Sequence, residues 1–417
     1  MAKLLLLKEE NKTTNILDCA VGRDCAIIPP MNKPLCPSGT IALISNPVHQ
    51  ALREKISGVY SAATKCGWQV FQTAQSPTAA NIRKIKAMLN PFGFIIDPLS
   101  STRAIQREPF GETPVVLISR DYHRARQIFD CSCQDVVQPV DAAIETFKAF
   151  GNVASFGFIG HTSKEAWSLE RGALFKERAS TLAPCFEYFG QTPEDSKGSR
   201  QLVKWLQGLP KPAGLFLATD HLAPSVFSAI HRVGIAVPDE MAVISVDDIH
   251  EICQNVTPNL TSVNVNFFHC GENAVELLKR RLQDPSRPVE TLTYGVIAVS
   301  KRASTRKPYA DKRVTKAVEF IENNIASRIS SHHVVREMGC GRRQAEQLFK
   351  LHTGHSMLCA IQKSRIEKAM TLLRSGNIPI EEIPSFCGYD SVSFFKTIFH
   401  RETGMTMREW RKRHGVS

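Results

Sequence analysis

Gly341-Arg-Arg-Gln-Ala-Glu-Gln-Leu-Phe-Lys350 and Ser391-Val-Ser-Phe-Phe-Lys-Thr-Ile-Phe-His400 stand fifty positions apart, and each is followed by Thr-Gly, at Thr353-Gly354 and Thr403-Gly404. Upstream of the first copy, Val334, Val335 and Met338 recur at helical spacing before Gly339-Cys340-Gly341. Upstream of the second, Ile380 and Ile383 lead through Phe386 to Gly388-Tyr389-Asp390. Helix, glycine turn, then a helix with one apolar face is a helix-turn-helix pattern. The span from Ile329 to Arg413 therefore predicts two such units joined by one long helix, a tandem DNA reader.

Charge points the same way. The 417 residues carry 52 Lys and Arg against 40 Asp and Glu, and 22 of those bases against 11 of those acids lie from Lys301 onward. The first 300 residues are nearly neutral, at 30 against 29. A basic excess confined to one end is the footprint of a polyanion partner. Alone it would equally describe a solvated face; its coincidence with the repeated pattern favours double-stranded DNA.

A recognition helix reads base edges in the major groove with residues near its N-terminus. In the first unit these are Arg342, Arg343, Glu346 and Gln347, opposite an Ala345/Leu348/Phe349 core stripe. Arg suits guanine, Gln suits adenine and Glu accepts from cytosine. Arg342 and Arg343 also suit phosphate clamping, and both roles stay open. In the second unit the reading face is Val392, Ser393, Lys396 and Thr397, with Phe394 to Phe399 expected in the core. That face has fewer bidentate donors and suits thymine methyls and backbone. Lys350, Lys363, Arg365 and Arg408 are phosphate candidates only. Pro384 falls within the helix expected to support the second reader, where an interior proline would cost about 3 kcal/mol. That helix must start late or kink. Lys301–Pro308 reads as an exposed connector, and Val314–Ile325 as the reader's first helix.

The front of the chain has another texture. Apolar runs at residues 40–45, 93–96, 114–118, 153–159, 185–188, 214–219, 241–246 and 292–299 read as strands. Amphipathic stretches at 50–66, 78–89, 138–150, 163–179, 198–206, 221–233 and 267–282 read as helices, and 103–107 as a weak one. Such alternation predicts doubly wound parallel sheets covered on both faces, and some 260 residues suit two lobes. The expected domains are a Pro-rich, poorly ordered tail (1–38), a two-lobed α/β sensor (39–302), a linker (303–313) and an all-α reader (314–417).

No run approaches the ~20 apolar residues of a membrane span, and Leu4–Leu7 is too short for a signal-peptide core. The expectation is a cytoplasmic protein without membrane association. The twelve Cys have no framework spacing and read as reduced core residues. Cys131-Ser-Cys133 and His352-x-x-His355 come nearest to metal spacing, but neither has a second half. Neither metal nor cofactor is expected.

Ligands of doubly wound sheets bind beyond the carboxyl ends of the strands. Those exits are Asn46, Asp97, Ser119-Arg120-Asp121, Gly160-His161, Thr219-Asp220 and Asp247-Asp248. Asp at a strand exit often only caps the next helix. Several carboxylates with an Arg around one cleft suit sugar hydroxyls, through directional, charge-assisted bonds.

Residues 39–302 resemble the sugar-binding core of LacI/GalR-type repressors and periplasmic sugar-binding proteins. The likeness rests on Gly214-Leu-Phe-Leu-Ala-Thr-Asp220-His, Ile230-His-Arg-Val-Gly234-Ile-Ala-Val-Pro238, Val243-Ile-Ser-Val-Asp247-Asp248 and Pro258-Asn-Leu-Thr-Ser-Val263. Residues 315–413 resemble the AraC/XylS-type DNA-binding domain. Its motif appears in Cys387-Gly388-Tyr389, Ser393-x-Phe395-x-x-x-Phe399 and Gly404-Met-Thr-x-x-Glu409-Trp-Arg411. The combined order resembles regulators of the XylR type. The resemblance implies that Asp220 meets a sugar hydroxyl, that Arg171 grips the ring, and that Trp167 stacks on a sugar face. It places Asp248 at the Asn/Asp after the Val-Asp strand end, with Asp247 as turn stabiliser, and Asp135 before an inter-lobe helix. Two stretches depart from the family pattern: Asn46-Pro-Val-His-Gln50 and Cys131-Ser-Cys-Gln-Asp135.

The reading that follows is a sequence-specific transcription regulator, not an enzyme. A small, xylose-like sugar would close two lobes and reposition tethered readers in a homodimer, and the resemblance implies RNA polymerase as a further partner. The alternative is a ligand-independent DNA-binding protein with a non-functional pocket. A repair enzyme with a reactive Cys would need that Cys beside His and Arg, and no Pro-Cys-His-Arg occurs.

Overall fold

The computed structural model describes residues 39–417, except 49, 98–104, 119–127, 191–195, 307–308, 376–377 and 415–417. The tail reading for residues 1–38, the first two residues of the weak helix expected over 103–107 and the exit Ser119-Arg120-Asp121 thus lie outside the described residues, and residues 105–107 are not helical.

Two six-stranded sheets form the front of the chain. The first contains β1 (Thr40–Ile44), β2 (Gln69–Thr73), β3 (Gly93–Ile96), β4 (Val115–Ile118) and β5 (Asp130–Gln134). The second contains β6 (Ser155–Ile159), β7 (Cys185–Tyr188), β8 (Ala213–Leu217), β9 (Met241–Val246) and β10 (Thr261–Val265). The single strand expected over 292–299 is instead two. β11 (Thr291–Tyr294) joins the first sheet beside β5, and β12 (Val296–Ser300) joins the second, antiparallel to β10. The orders are β11-β5-β4-β3-β1-β2 and β12-β10-β9-β8-β6-β7, and every other pairing is parallel.

Three strands escape the apolar-run signal for physical reasons. β5, Asp-Cys-Ser-Cys-Gln, is buried throughout yet has no Val, Ile or aromatic residue. β2 is an edge strand, only half buried. β10 spaces its apolar residues between Thr, Ser and Asn.

Helices α1 (Gln50–Lys65), α2 (Ala79–Leu89) and α8 (Phe267–Gln283) pack in the first lobe. Helices α3 (Val137–Phe150), α4 (Ala166–Ala179), α5 (Ser196–Gly208), α6 (Ala223–Arg232) and α7 (His250–Cys253) belong to the second. α1 and α8 meet backbone to backbone: a Cβ on Gly58 would lie 2.0 Å from the Phe268 carbonyl oxygen, and one on Gly271 2.1 Å from that of Lys55. In the second lobe Phe147, Phe156, Phe158, Phe175 and Phe216 form a ring cluster with centroids 4.9–6.3 Å apart. Buried aromatic pairs add to area burial by about 0.5–1.5 kcal/mol each.

The chain passes between lobes after β5, after β10, and at Gly295 between β11 and β12. The crossings are tied together. Asp135 N donates to the Tyr294 carbonyl (2.9 Å), and Asn266 N to that of Gly295 (3.0 Å).

The connector is not exposed as expected. Ala303, Ser304 and Thr305 are buried against the second lobe. Ser304 Oγ donates to the Val243 carbonyl (2.6 Å) and accepts from Thr261 N (2.8 Å), while the Thr261 and Thr305 hydroxyls bond at 2.7 Å. Short hydroxyl side chains look like linker in a sequence, but here they complete hydrogen bonding between the interior strands β9 and β10.

The C-terminal helices are α9 (Lys312–Asn323), α10 (Ser331–Met338), α11 (Arg342–Thr353), α12 (Met357–Ser375), α13 (Ile383–Phe386), α14 (Val392–Thr403) and α15 (Met407–His414). They enclose two separate cores. The first gathers Val314, Ile321, Val334, Ala345 and Phe349 around Met357 and Ile361 of α12. The second gathers Ile383, Phe395, Ile398, Phe399 and Trp410 around Ile366, Ala369 and Leu373 of the same helix. Pro384 does not interrupt α13. The helix starts late, so the proline sits in its first turn, where a missing N–H costs nothing.

Candidate effector site and DNA-reading helices

At the exit of β8, Asp220 is wholly buried. Its carboxylate accepts from Ile249 N (2.7 Å) and Ser262 Oγ (2.7 Å), with Cys253 Sγ at 3.4 Å. Burial, then the nearby Asp247 charge, pushes its pKa up to about 7, although the bonds from Ile249 and Ser262 pull it down. Asp247 and Asp248 both have left-handed backbone, at φ 111° and 54°. Asp247 accepts from Thr219 Oγ1 (2.6 Å). Asp248 accepts from Ser300 Oγ (2.6 Å), Asn264 Nδ2 (3.1 Å) and Arg302 Nη2 (2.8 Å), and its N–H donates to Ser262 Oγ (3.0 Å). Ser262 thus joins Asp220 and Asp248 in one network.

Arg171, in α4, is also wholly buried. One terminal nitrogen donates to Gln134 Oε1 (2.9 Å), the last side chain of β5, and the other to the Ala218 carbonyl just past β8. One guanidinium therefore connects the first sheet to the second. It lies 5.2 Å over the Trp167 ring, and Trp167 Nε1 donates to Glu165. Gln134 is 7% exposed, and its Nε2 has no hydrogen-bond partner among the described residues. Asp135, next in the chain, caps α3, accepting from Val137 N (2.8 Å), Gln138 N (3.4 Å) and Gln138 Nε2 (3.0 Å). Asn46 is half-buried in the loop after β1, where its carbonyl accepts from Val48 N (2.8 Å). Arg171 thus meets both Gln134 and Trp167, Asp135 is turned to the start of α3, and Asp220 and Asp248 meet at Ser262. No hydrogen bond links Asn46 to either group among those described.

The sequence reading missed three polar residues here. Gln134 sits on a strand with no strand-like residues. Lys55, buried in α1, pairs with Asp97 at 3.3 Å. Glu54, one residue earlier, has its pKa raised by burial first and then by the Asp247 and Asp248 charges, against a bond from Gln50. Glu54, early in the second turn of α1, therefore feels the acidic end of the second lobe. A helix beginning right after a strand exit was the available signal.

In the reader, α10 starts on a capping box of Ser330 and His333, and ends at Gly339 in the left-handed region. α11 then presents Arg342, Arg343, Glu346 and Gln347 to solvent, while Ala345 and Phe349 are buried. Arg342 Nε donates to Glu346 Oε1 at 3.0 Å, so two of the candidate reading residues pair with each other. On α14, Ser393, Lys396 and Thr397 are exposed and Val392 is half-buried; Thr397 Oγ1 donates back to the Ser393 carbonyl (3.2 Å). Phe394 departs from expectation. It is 57% exposed, whereas Phe395, Ile398 and Phe399 are buried. Phe394 lies at the edge of the helical arc that Phe395, Ile398 and Phe399 turn to the core. Arg365 is no phosphate contact, being 8% exposed and bonded to backbone carbonyls.

Residues 144–305 match the family of periplasmic binding protein-like domains, and residues 334–413 match a helix-turn-helix domain family. The chain is 27% identical over 383 residues to the xylose operon regulatory protein of Escherichia coli strain K12, covering 89% of this chain and 96% of that one. The chain is XylR-like over nearly its whole length, a periplasmic binding protein-like domain followed by a helix-turn-helix domain. A 26% identical xylose operon regulatory protein from Haemophilus influenzae matches over 89% of this chain and 97% of its own. The solved structure of the xylose-binding transcription activator xylR superposes with a TM-score of 0.55 at 25% identity, over 92% of this chain and all of the other. The regulator is thus a DNA-binding transcription factor and not an enzyme. No helix among its described residues is long and apolar enough to cross a membrane. Among those residues, no group of three or more His, Cys, Asp or Glu is placed to hold a metal ion.

Proposed function

We propose that this regulator controls genes for the use of a small, xylose-like sugar, which binds between the two lobes. The observation that carries this reading is Arg171, a wholly buried cation shared between Gln134 of one sheet and Ala218 of the other. A buried guanidinium and an unpartnered amide at a hinge are the groups that a polyhydroxylated ligand satisfies. A sugar hydroxyl taking Gln134 Nε2 and one arm of Arg171 would favour one lobe arrangement over the other. Without such differential binding the sugar would shift nothing. Trp167 would supply the apolar wall. Asp220 and Asp248 would act from the second lobe, and Asn46 and Asp135 from the first.

The sensor is taken as residues 39–302, with 303–305 docked on it, and the reader as 314–417 with its first helix beginning two residues earlier. Signal would leave the sensor through its polar contacts with α9. Asn259 Nδ2 donates to Asn323 Oδ1 (2.6 Å), and Arg306 pairs with Glu322. On DNA, Arg342, Arg343, Glu346 and Gln347 would read one major-groove segment, and Val392, Ser393, Lys396 and Thr397 the next. Cytoplasmic location, homodimerisation and recruitment of RNA polymerase belong to the same reading.

The test is a thermal-shift screen of the full chain with pentoses and hexoses. A sugar at about 100 times its dissociation constant stabilises by about 2.7 kcal/mol. Footprints of the DNA flanking its gene, with and without the active sugar, should then differ. A flat screen would leave DNA binding intact and remove the effector.

A further inference from the structure

We infer that Arg365 is the positioning residue that sets the angle and spacing of the two recognition helices, and so the distance between the half-sites the reader accepts. This rests on the reading that both units engage one duplex.

The two units have separate apolar cores strung on one helix, α12, with Ile361 in the first and Ile366 in the second. Apolar packing is non-directional, so two cores sharing a helix do not by themselves fix a rotation between units. Arg365 lies in the short interval between them and is 8% exposed. Its guanidinium donates to three carbonyls of the turn between α9 and α10: Ile325 (3.3 Å), Ser327 (2.8 Å) and Ile329 (3.4 Å). That turn leads straight into the Ser330 cap of α10, and so to α11. On its other side the guanidinium lies 4.9 Å over the Tyr389 ring. The Tyr389 ring sits 4.8 Å from Phe395, a wholly buried residue of α14. One planar group is therefore clamped between the supports of both recognition helices.

Gly388 shows how close the junction is. At φ +75°, a Cβ there would lie 2.7 Å from the Ile325 oxygen, 2.8 Å from that of Ser327 and 3.0 Å from an Arg365 nitrogen. Arg328 pairs with Asp390 across the same seam at the surface. A rigid fork with several donors and a flat face is a directional connector, which a lysine or an apolar residue is not.

The experiment uses the full chain and a duplex selected from a randomised pool by the wild type, its half-sites mapped by footprinting. Affinity is then measured for that duplex and for versions with 2 or about 5 base pairs inserted between half-sites, the latter about half a helical turn. Rigidly linked readers gain about 10²- to 10⁴-fold from simultaneous engagement, and lose it when geometry forbids both. Wild type should weaken by about 100-fold on the longest duplex. Arg365→Met should bind the selected duplex less tightly but weaken by less than about tenfold on insertion. Tyr389→Leu, which keeps the carbonyl bonds, should fall between. Far-ultraviolet circular dichroism checks folding; if Arg365→Met does not fold, Arg365→Lys takes its place. A variant that lowers affinity but keeps the wild-type insertion ratio overturns the inference. A pool that enriches one half-site only defeats the two-reader reading and the inference with it.

Discussion

Arg302 Nη2 donates to Asp248 Oδ1 at 2.8 Å, joining a candidate effector-site carboxylate to the residue where the chain leaves β12 for the reader. The pair is nearly enclosed, with side-chain exposures of 12% and 11%. Arg302 also donates to the Leu260 carbonyl (2.8 Å), and its own N–H to Thr261 Oγ1 (2.8 Å). Movement of Asp248 toward a ligand would therefore be felt first at residues 302–305, and then at the Arg306–Glu322 contact with α9.

Breaking one side of that pair leaves a buried charge uncompensated, which costs about 3–5 kcal/mol. Arg302→Met should destabilise the sensor by about that much in urea unfolding, while Arg302→Met with Asp248→Asn should recover part of it. A double-mutant coupling near zero would mean that the two groups act independently.

Asp220 makes stability depend on pH with an unusual sign. Its folded-state pKa is raised to about 7, far above that of an unfolded aspartate, so between about pH 4 and 7 the folded protein holds the proton and the unfolded chain has lost it. Stability from this group therefore falls as pH rises through that window, by at most about 1.4 kcal/mol per pH unit, and levels off above about 7. Asp220→Asn should flatten this part of the profile and stabilise the apoprotein at pH 8. Unfolding midpoints of both proteins across pH 5 to 8 decide it. Parallel profiles would place the Asp220 carboxylate in contact with water.

If Arg171 and Gln134 clasp the effector, Gln134→Leu should leave the free protein folded, although the wholly buried Arg171 then loses its Gln134 Oε1 acceptor at a cost of about 1–3 kcal/mol. The substitution should also shrink the sugar-induced thermal shift. An unmade bond to a ligand hydroxyl is worth about 1–3 kcal/mol, so apparent affinity should fall about 5- to 150-fold. Equal shifts in both proteins would move the sugar away from the hinge.

Much of this molecule could be read from residues alone, because its long helices and apolar strands follow simple periodicities. The exceptions share a cause: polar or small residues used inside the structure. β5 is buried with Cys and Ser where a strand normally shows Val or Ile. Ala303, Ser304 and Thr305 look like linker and are core. Arg365 looks like a phosphate contact and is a buried clamp. Phe394 is the converse, an apolar residue left facing solvent on a reading helix. Composition signals burial only on average, while hydrogen-bond satisfaction is decided by partners distant in sequence. Gln134 is the plainest case, since its partner lies 37 positions away.

On α11 the two arginines should behave differently. Arg342 is held by Glu346 at 3.0 Å, while no side-chain hydrogen bond of Arg343 is among those described. A base-reading arginine contributes about 1–3 kcal/mol at one base pair, whereas a phosphate clamp weakens all sequences alike and lowers the salt slope by about one ion. Arg343→Ala should cost about 1–3 kcal/mol on the selected duplex and relax preference at a single position. Glu346→Ala should release Arg342, raising affinity for unrelated duplexes and steepening the salt dependence. Binding curves at several salt concentrations, on selected and scrambled duplexes, separate these outcomes. Uniform loss from Arg343→Ala on both duplexes would make it a clamp and shift base reading to Gln347.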